Sequence, residues 1–163
     1  MYTSNLANLL LNVDSYKASH WLQYPPETQY LSYYIEARNG ELDVVMFGLQ
    51  AFIKEYLSKP ITQQDIDEAE SLLTAHGLPF YRAGWQRLLQ KYGGMLPLVI
   101  EAVPEGTVLP TGNVVCQIRN TDPEFFWLVG YLETALLRAV WCGIPPAWRV
   151  FPTPASRKFV RRC

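Results

Sequence analysis

The sequence has few of the residues from which metal centres and disulfide frameworks are built. Its 163 residues include only three cysteines, none in CxxC spacing, and only two histidines. His20 and His76 lie far apart, and neither belongs to a pattern such as HxxxH. We therefore predict no metal site and no disulfide framework, and we expect reduced thiols in a cytoplasmic protein.

Long apolar runs and a secretory leader are also missing. The longest apolar stretch is interrupted by Glu133 and Arg138, so it falls short of the roughly 20 residues that cross a bilayer. Nothing at the N-terminus resembles a charged segment followed by an apolar one. These absences predict a protein without a membrane partner.

Acidic residues are absent from the C-terminal part of the chain. All fifteen Asp and Glu lie at or before Glu133, whereas the stretch from Trp141 onward holds five basic residues interrupted by prolines. Such an interrupted basic stretch is a weak footprint for nucleic acid, and we predict no nucleic-acid partner. With 49% hydrophobic residues overall, we predict one globular domain over 1–141 and a poorly ordered tail over 142–163.

Periodicity predicts an α+β fold, with a small antiparallel sheet and several helices packed on it. The first two strands are expected to pair through a turn at Asn39-Gly40. The second helix is expected to begin at Thr62 with a capping box to Asp65, and to bury Ile66, Ala69, Leu72 and Leu73. The predicted strands are Gln29–Glu36, Val44–Phe47, 98–103, 107–109 and 113–118, and the predicted helices are 49–57, 62–77, 81–92 and 124–141.

The last predicted helix is the most apolar of the chain. Asp122, Pro123 and Glu124 give it a capping side chain, a proline in the first turn and an acid at the positive end of the helix dipole. We expect its apolar face to be partly exposed in this chain. That face comprises Phe126, Trp127, Leu132, Leu136, Leu137 and Val140.

A polar cluster near the N-terminus is the strongest candidate for chemistry. Asp14, Tyr16, Lys17 and His20 lie within seven positions. In the plainest interpretation Asp14 or Ser15 caps a short helix, Tyr16 packs and Lys17 is solvated. In the other, the carboxylate and the aromatic ring hold a neutral aromatic amide. The residues alone leave both open.

The order of motifs along residues 5–141 resembles that of nicotinamide phosphoribosyltransferases. The first motif is DSYKxxHxxQYPP, from Asp14 to Pro26, and the others follow it in register. They are Glu36-Ala37-Arg38, Phe47-Gly48-Leu49-Gln50, Gly84-Trp85, Leu96-Pro97, Val103-Pro104-Glu105-Gly106, Pro110-Thr111-Gly112-Asn113-Val114, Asn120-Thr121-Asp122-Pro123-Glu124, Trp127-Leu128 and Glu133-Thr134.

The resemblance implies a pentosyl transfer of NAD salvage, in which nicotinamide and phosphoribosyl pyrophosphate give nicotinamide mononucleotide and pyrophosphate. It implies a homodimer in which Tyr16 stacks on nicotinamide in the partner subunit's barrel, with Asp14 beside it. Arg38 and Lys17 lie near by in sequence and are candidates for facing a phosphate, with a surface ion pair as the alternative for Arg38. No residue of this chain is matched to a catalytic role, and Mg²⁺ and ATP are implied for the complete enzyme.

The fold implied is the N-terminal domain of a type II phosphoribosyltransferase, without the α/β barrel that follows it. We therefore expect this chain to be inactive alone. Two alternatives stay open: a non-catalytic interaction module or truncated pseudo-enzyme, and a relative that uses nicotinate. The resemblance ends at Trp141, and we interpret the tail as the product of a frameshift, which the nucleotide sequence tests.

Overall fold

A computed structural model describes residues 8–38 and 43–142 of the chain. The predicted Asn39-Gly40 turn and residues 143–163 of the predicted tail lie outside the described residues. Within these ranges the α+β prediction is confirmed, because two small antiparallel sheets pack against five α-helices and several short 3-10 turns.

In the larger sheet, the central strand is the one that comes last in the sequence. Strand β1 (Ser32–Glu36) and strand β3 (Leu98–Ala102) both pair antiparallel with β5 (Val114–Asn120), in the order β1-β5-β3. The smaller sheet joins β2 (Val44–Val45) to β4 (Val108–Leu109).

The predicted pairing of the first two strands is therefore wrong. In β1, Ile35 lies opposite Cys116 of β5. In the smaller sheet, Val44, Val45 and Leu109 are buried and Val108 is exposed. A turn signal such as Asn-Gly specifies only local geometry, whereas each strand pairs where its inward side chains are buried. The apolar side chains of β5 provide that surface for β1.

The helices follow the predicted boundaries closely. Helix α1 (Leu49–Phe52) continues as a π-helix over Ile53–Leu57, and α2 (Gln63–Ala75) begins with the predicted reciprocal capping box between Thr62 and Asp65. Helix α3 (Arg82–Tyr92) ends at the left-handed Gly93. No helix in the described ranges is long and apolar enough to cross a membrane.

One residue of the predicted α2 core is misplaced. Ile66, Ala69 and Leu73 are buried as expected, but Leu72 is 47% exposed. Successive helical residues differ by about 100° around the axis, so Leu72 points away from the stripe that Ile66, Ala69 and Leu73 share.

The predicted helix over 124–141 is divided into shorter elements. Asp122 caps a 3-10 turn over Pro123–Phe125 as predicted, α4 spans Trp127–Tyr131, and α5 spans Glu133–Cys142 after a break at Leu132. The expected exposure of its apolar face is wrong for most of that face. Helix α5 packs on α1 and α4, and the buried members are Trp127, Leu132, Leu136 and Val140.

Aromatic rings fill the core between these helices and connect it to the N-terminal segment. Trp85 of α3 is fully buried and meets Trp127 and Tyr131 edge-on, with ring centroids 4.8 and 5.1 Å apart. Trp21 stacks on Tyr81 at 4.2 Å. Such stacked and edge-on pairs stabilise more than their buried area alone, so the core also fixes the segment that contains Trp21.

A charged cluster joins the end of α3 to the start of the 3-10 turn before α4. The carboxylate of Asp122 accepts hydrogen bonds from Lys91 at 2.6 Å and Tyr92 at 2.7 Å. These bonds, Lys91's above all, favour the charged form and lower the pKa of Asp122 to about 2. The folded state is thus stabilised above the ordinary carboxyl pKa, and this contribution is lost as pH falls toward 2.

We expect Asp122→Asn to flatten the loss of stability between pH 5 and pH 2, because asparagine can cap the turn but cannot titrate. Urea unfolding midpoints at several pH values measure this effect. The matched control is Glu101→Gln, since Glu101 is an exposed acid whose oxygen lies 3.8 Å from Arg119. Equal pH slopes for Asp122→Asn and the unmodified chain would contradict the assignment.

Candidate functional site

The N-terminal segment forms a short 3-10 helix over Lys17–Leu22. The Asp14 carbonyl accepts the amide N–H groups of Lys17 at 2.9 Å and Ala18 at 3.3 Å. The prediction of a short helix is confirmed, but capping by the side chain of Asp14 or Ser15 is wrong, because no side chain caps the helix. The carboxylate of Asp14 is directed elsewhere.

Asp14 is bound to the start of α5 by a reciprocal pair of hydrogen bonds. The Thr134 hydroxyl donates to Asp14 Oδ2 at 2.9 Å, and the Asp14 N–H donates to the same hydroxyl oxygen at 3.3 Å. Arg138 lies one turn further along α5, with Nη2 4.0 Å from Asp14 Oδ1. Oδ2 is thus held by Thr134, while the neighbour of Oδ1 within the described part of the chain is this more distant cation.

Lys17 is buried, so the prediction that it is solvated is wrong. Its side chain is 7% exposed and forms an ion pair with Glu133, the residue before Thr134. The ammonium also lies 5.5 Å from the ring centroid of Tyr33 on β1. A buried cation is tolerated when a carboxylate pairs with it. In this structure the Lys17 ammonium is paired with Glu133.

Tyr16 lies between these two anchored residues and is directed outward. Its side chain is 57% exposed, so the prediction that it packs is wrong. The ring meets His20 edge-on at 5.3 Å, and the Lys17 ammonium lies 5.3 Å from its centroid. An exposed ring with a fixed backbone on both sides offers a stacking surface at little cost in conformational entropy.

His20 borders the same ring, and its surroundings favour the neutral imidazole. Partial burial, and then the nearby positive charge of Lys17, lower the pKa of His20 below its ordinary value of 6.5, although Glu133 opposes the effect. At neutral pH His20 is thus mainly uncharged. Its ring lies 6.5 Å from that of Tyr24, which continues the aromatic row.

An open cleft of about 560 Å³ lies beside this segment, between β1 and α5. Arg38, which also lines the cleft, is 84% exposed, and its partner among the described residues is Glu36, at 4.0 Å. Glu133 also lines the cleft, so it connects the cleft to Lys17. The other lining residues are Ser32, Tyr33, Tyr34, Ile35, Glu36, Ile118, Leu136 and Leu137.

The described residues bring together no group of three His, Cys, Asp or Glu side chains that could hold a metal ion. Cys116 on β5 is a free, buried thiol, and burial raises its pKa to about 11. A thiol that is protonated at neutral pH is a poor nucleophile. We therefore assign neither a metal ligand nor a nucleophile to this part of the chain.

Sequence reasoning missed the roles of Glu133 and Thr134. Both were part of a motif shared with the family, but no local pattern connects them to Asp14 and Lys17, which lie 120 and 116 positions earlier. The one usable signal was an acid followed by a hydroxyl residue at the start of a predicted buried helix. That signal is also typical of ordinary helix starts.

Comparison with known proteins gives the same family along most of the chain. Residues 8–100 match the family described as nicotinamide phosphoribosyltransferase, N-terminal domain. A nicotinamide phosphoribosyltransferase of Xanthomonas campestris pv. campestris is 53% identical over 149 residues, covering 89% of this chain and 32% of the relative. One of Acinetobacter baylyi is 30% identical over 155 residues, covering 82% of this chain and 30% of the relative.

Among solved structures, human nicotinic acid phosphoribosyltransferase superposes with a TM-score of 0.55 at 20% identity, covering 78% of this chain and 25% of that one. This likeness shows the fold alone. The chain spans about a third of the length of the curated relatives that it matches. The family match over more than half of the chain and the 53% identity together show that this chain belongs to the nicotinamide phosphoribosyltransferase family, whose N-terminal domain it contains.

Proposed function

We propose that this chain contributes the N-terminal half-site of a nicotinamide phosphoribosyltransferase, which converts nicotinamide and phosphoribosyl pyrophosphate into nicotinamide mononucleotide and pyrophosphate. Tyr16 stacks on the nicotinamide ring in the barrel of a second subunit, and Asp14 lies beside the ring. The remaining catalytic groups come from sequence outside these 163 residues.

The exposure of Tyr16 is the observation that carries this proposal. The Tyr16 ring is 57% exposed between two anchored neighbours, so its face is available for stacking on another molecule. A neutral aromatic ring such as nicotinamide is held by stacking on just such a side chain. The curated relatives are named for the use of nicotinamide.

Asp14 is suited to hold the amide of that substrate. Its Oδ2 accepts from Thr134, and the Arg138 cation lies 4.0 Å from Oδ1, so Oδ1 can accept an N–H donor from a carboxamide. A nicotinate substrate would instead place a second carboxylate near Asp14, which is unfavourable. This arrangement favours nicotinamide over nicotinate as the substrate.

Arg38 is the better of the two candidates for a phosphate-facing residue. Its guanidinium is highly exposed beside the cleft and lies 4.0 Å from Glu36, whereas the Lys17 ammonium is buried against Glu133. A guanidinium recognises phosphate oxygens through two parallel hydrogen bonds. The Mg²⁺ and ATP implied for the complete enzyme are proposed to bind to groups outside this chain.

The test is a chimera in which residues 1–141 of this chain replace the matching part of the Xanthomonas relative. We expect the chimera to form nicotinamide mononucleotide, and Tyr16→Ala to raise its KM for nicotinamide about tenfold to a hundredfold, since stacking contributes on the order of 1–3 kcal/mol. Tyr16→Phe keeps the ring and should stay within about threefold of the parent.

The matched control for the chimera is Tyr30→Ala, because Tyr30 is 61% exposed and is absent from the site. It should leave both kinetic constants unchanged. An active chimera with unaltered KM in Tyr16→Ala would refute the half-site, and a folded but inactive chimera would refute the activity proposed for this domain. Product formation by the separate 163-residue chain would refute its dependence on a barrel.

A further inference from the structure

We propose that Glu133 and Thr134, adjacent residues in the first turn of α5, are positioning residues that fix the Asp14–Lys17 segment so that the Tyr16 ring is presented outward. This inference rests on the proposed function, because that function is what gives the outward-facing Tyr16 ring a role. The geometry that carries it, however, lies entirely within this chain.

The two contacts flank Tyr16 on both sides. Thr134 holds Asp14, two positions before Tyr16, and Glu133 holds Lys17, one position after it. Both partners are consecutive residues of one helix, so they define one rigid support rather than two independent ones. With its neighbours fixed, the Tyr16 backbone has little freedom to rotate its ring into the core.

The Thr134 hydroxyl is suited to this role because it acts as donor and acceptor at once. It donates to the Asp14 carboxylate at 2.9 Å and accepts the Asp14 N–H at 3.3 Å, and the Thr134 residue is buried. A hydroxyl is the smallest side-chain group that can do both. Removing it would leave the Asp14 N–H and one carboxylate oxygen without that partner.

The Lys17–Glu133 pair acts from the other side of Tyr16. Glu133 is less buried than Lys17, with side-chain exposures of 28% and 7%. A buried cation without its carboxylate is strongly destabilising, so Lys17 can keep its buried position only while its charge is paired. The break at Leu132 between α4 and α5 starts a new helix at this point, where Glu133 and Thr134 reach the segment.

The backbone provides a direct readout of this anchoring. The amide N–H groups of Lys17 and Ala18 both bind the carbonyl of Asp14, so their hydrogen exchange reports whether Asp14 is held. The amide of Gln23 binds the carbonyl of His20 in the same short helix, away from the anchor. The amide of Trp85 in α3 binds the Tyr81 carbonyl and reports the core.

The experiment is hydrogen exchange by NMR on the full 163-residue chain, without nicotinamide, comparing Thr134→Val with Thr134→Ser. Valine keeps the shape and removes the hydroxyl, and we expect protection of the Lys17 and Ala18 amides to fall about tenfold or more. Protection at Gln23 and Trp85 should change less than about threefold. Serine keeps the hydroxyl and should retain protection at all four amides.

A comparison of single and double variants tests the contact between Lys17 and Glu133. Glu133→Gln leaves Lys17 unpaired and should lower protection at Ala18, whereas adding Lys17→Met removes the unpaired cation and should restore most of it. In the chimera, Thr134→Val should raise KM for nicotinamide severalfold with kcat within about twofold, and Thr134→Ser should restore KM.

Unchanged protection at Lys17 and Ala18 in Thr134→Val would overturn the proposal, as would an equal loss at all four amides, which indicates a general effect on folding. The exchange experiment contains neither substrate nor barrel. Loss of local protection together with an inactive chimera would therefore refute the proposed function while leaving the anchoring intact.

Discussion

Replacing Gly94 with alanine is expected to lower the free energy of unfolding by roughly 2–5 kcal/mol. Gly94 has φ of 86°, and a Cβ at this position would lie 2.1 Å from the Ile61 carbonyl oxygen and 2.9 Å from its nitrogen. These are backbone atoms, so no side-chain rotation relieves the overlap. The Ile61 N–H also donates to the Gly94 carbonyl at 2.9 Å, so the backbone segments that contain Ile61 and Gly94 are hydrogen-bonded to each other.

The neighbouring Gly93 provides a matched control. It also has a positive φ, of 59°, but a Cβ there would meet nothing within 4 Å. Gly93→Ala should therefore lose only about 1–2 kcal/mol, the cost of a left-handed alanine. Urea unfolding of both variants gives the difference, and equal losses would show that contact with Ile61 contributes nothing.

Trp85→Ala is expected to cost about 3–5 kcal/mol, since it removes a fully buried indole and leaves a cavity between α3 and α4. Trp127 and Tyr131 would lose their edge-on contacts with it. The indole N–H of Trp85 has no hydrogen-bond partner among the described residues, so the loss comes from packing rather than from a broken hydrogen bond.

The measurement is again the free energy of unfolding, with Trp85→Phe as the intermediate case. Phenylalanine keeps an aromatic ring and should lose clearly less than alanine. Tyr92→Phe is the contrasting variant, because it keeps the packing and removes a hydrogen bond to Asp122, for which we expect roughly 0.5–3 kcal/mol. A loss below about 1 kcal/mol for Trp85→Ala would contradict the central role of this ring.

Elements defined by neighbouring residues were predictable from the sequence. The Thr62–Asp65 capping box and the Asp122 cap depend on residues two or three positions apart, so local chemistry specifies them. Strand partners were not predictable in the same way. The pairing of β1 with β5 joins residues about 80 positions apart, and depends on which surface buries Ile35.

In the candidate site, too, features set by neighbouring residues could be predicted and those set by residues distant in sequence could not. Tyr16 and Asp14 could be named because a contiguous motif contains them. The burial of Lys17 could not, since it depends on Glu133, 116 positions later, and a lysine in a short polar segment is ordinarily solvated. The packing of the apolar face of α5 likewise depends on contacts with α1 that no local pattern encodes.

The distance in sequence between Asp14 and Thr134 also sets an order of events during synthesis. At roughly 5–20 residues per second, a ribosome takes about 6–24 s to add the 120 residues that separate them. Throughout that interval the tyrosine-bearing segment has emerged without its anchor, and for most of it β1 lacks its partner strand, β5. The first part of the domain to be made is thus among the last to be fixed, once the start of α5 has left the exit tunnel.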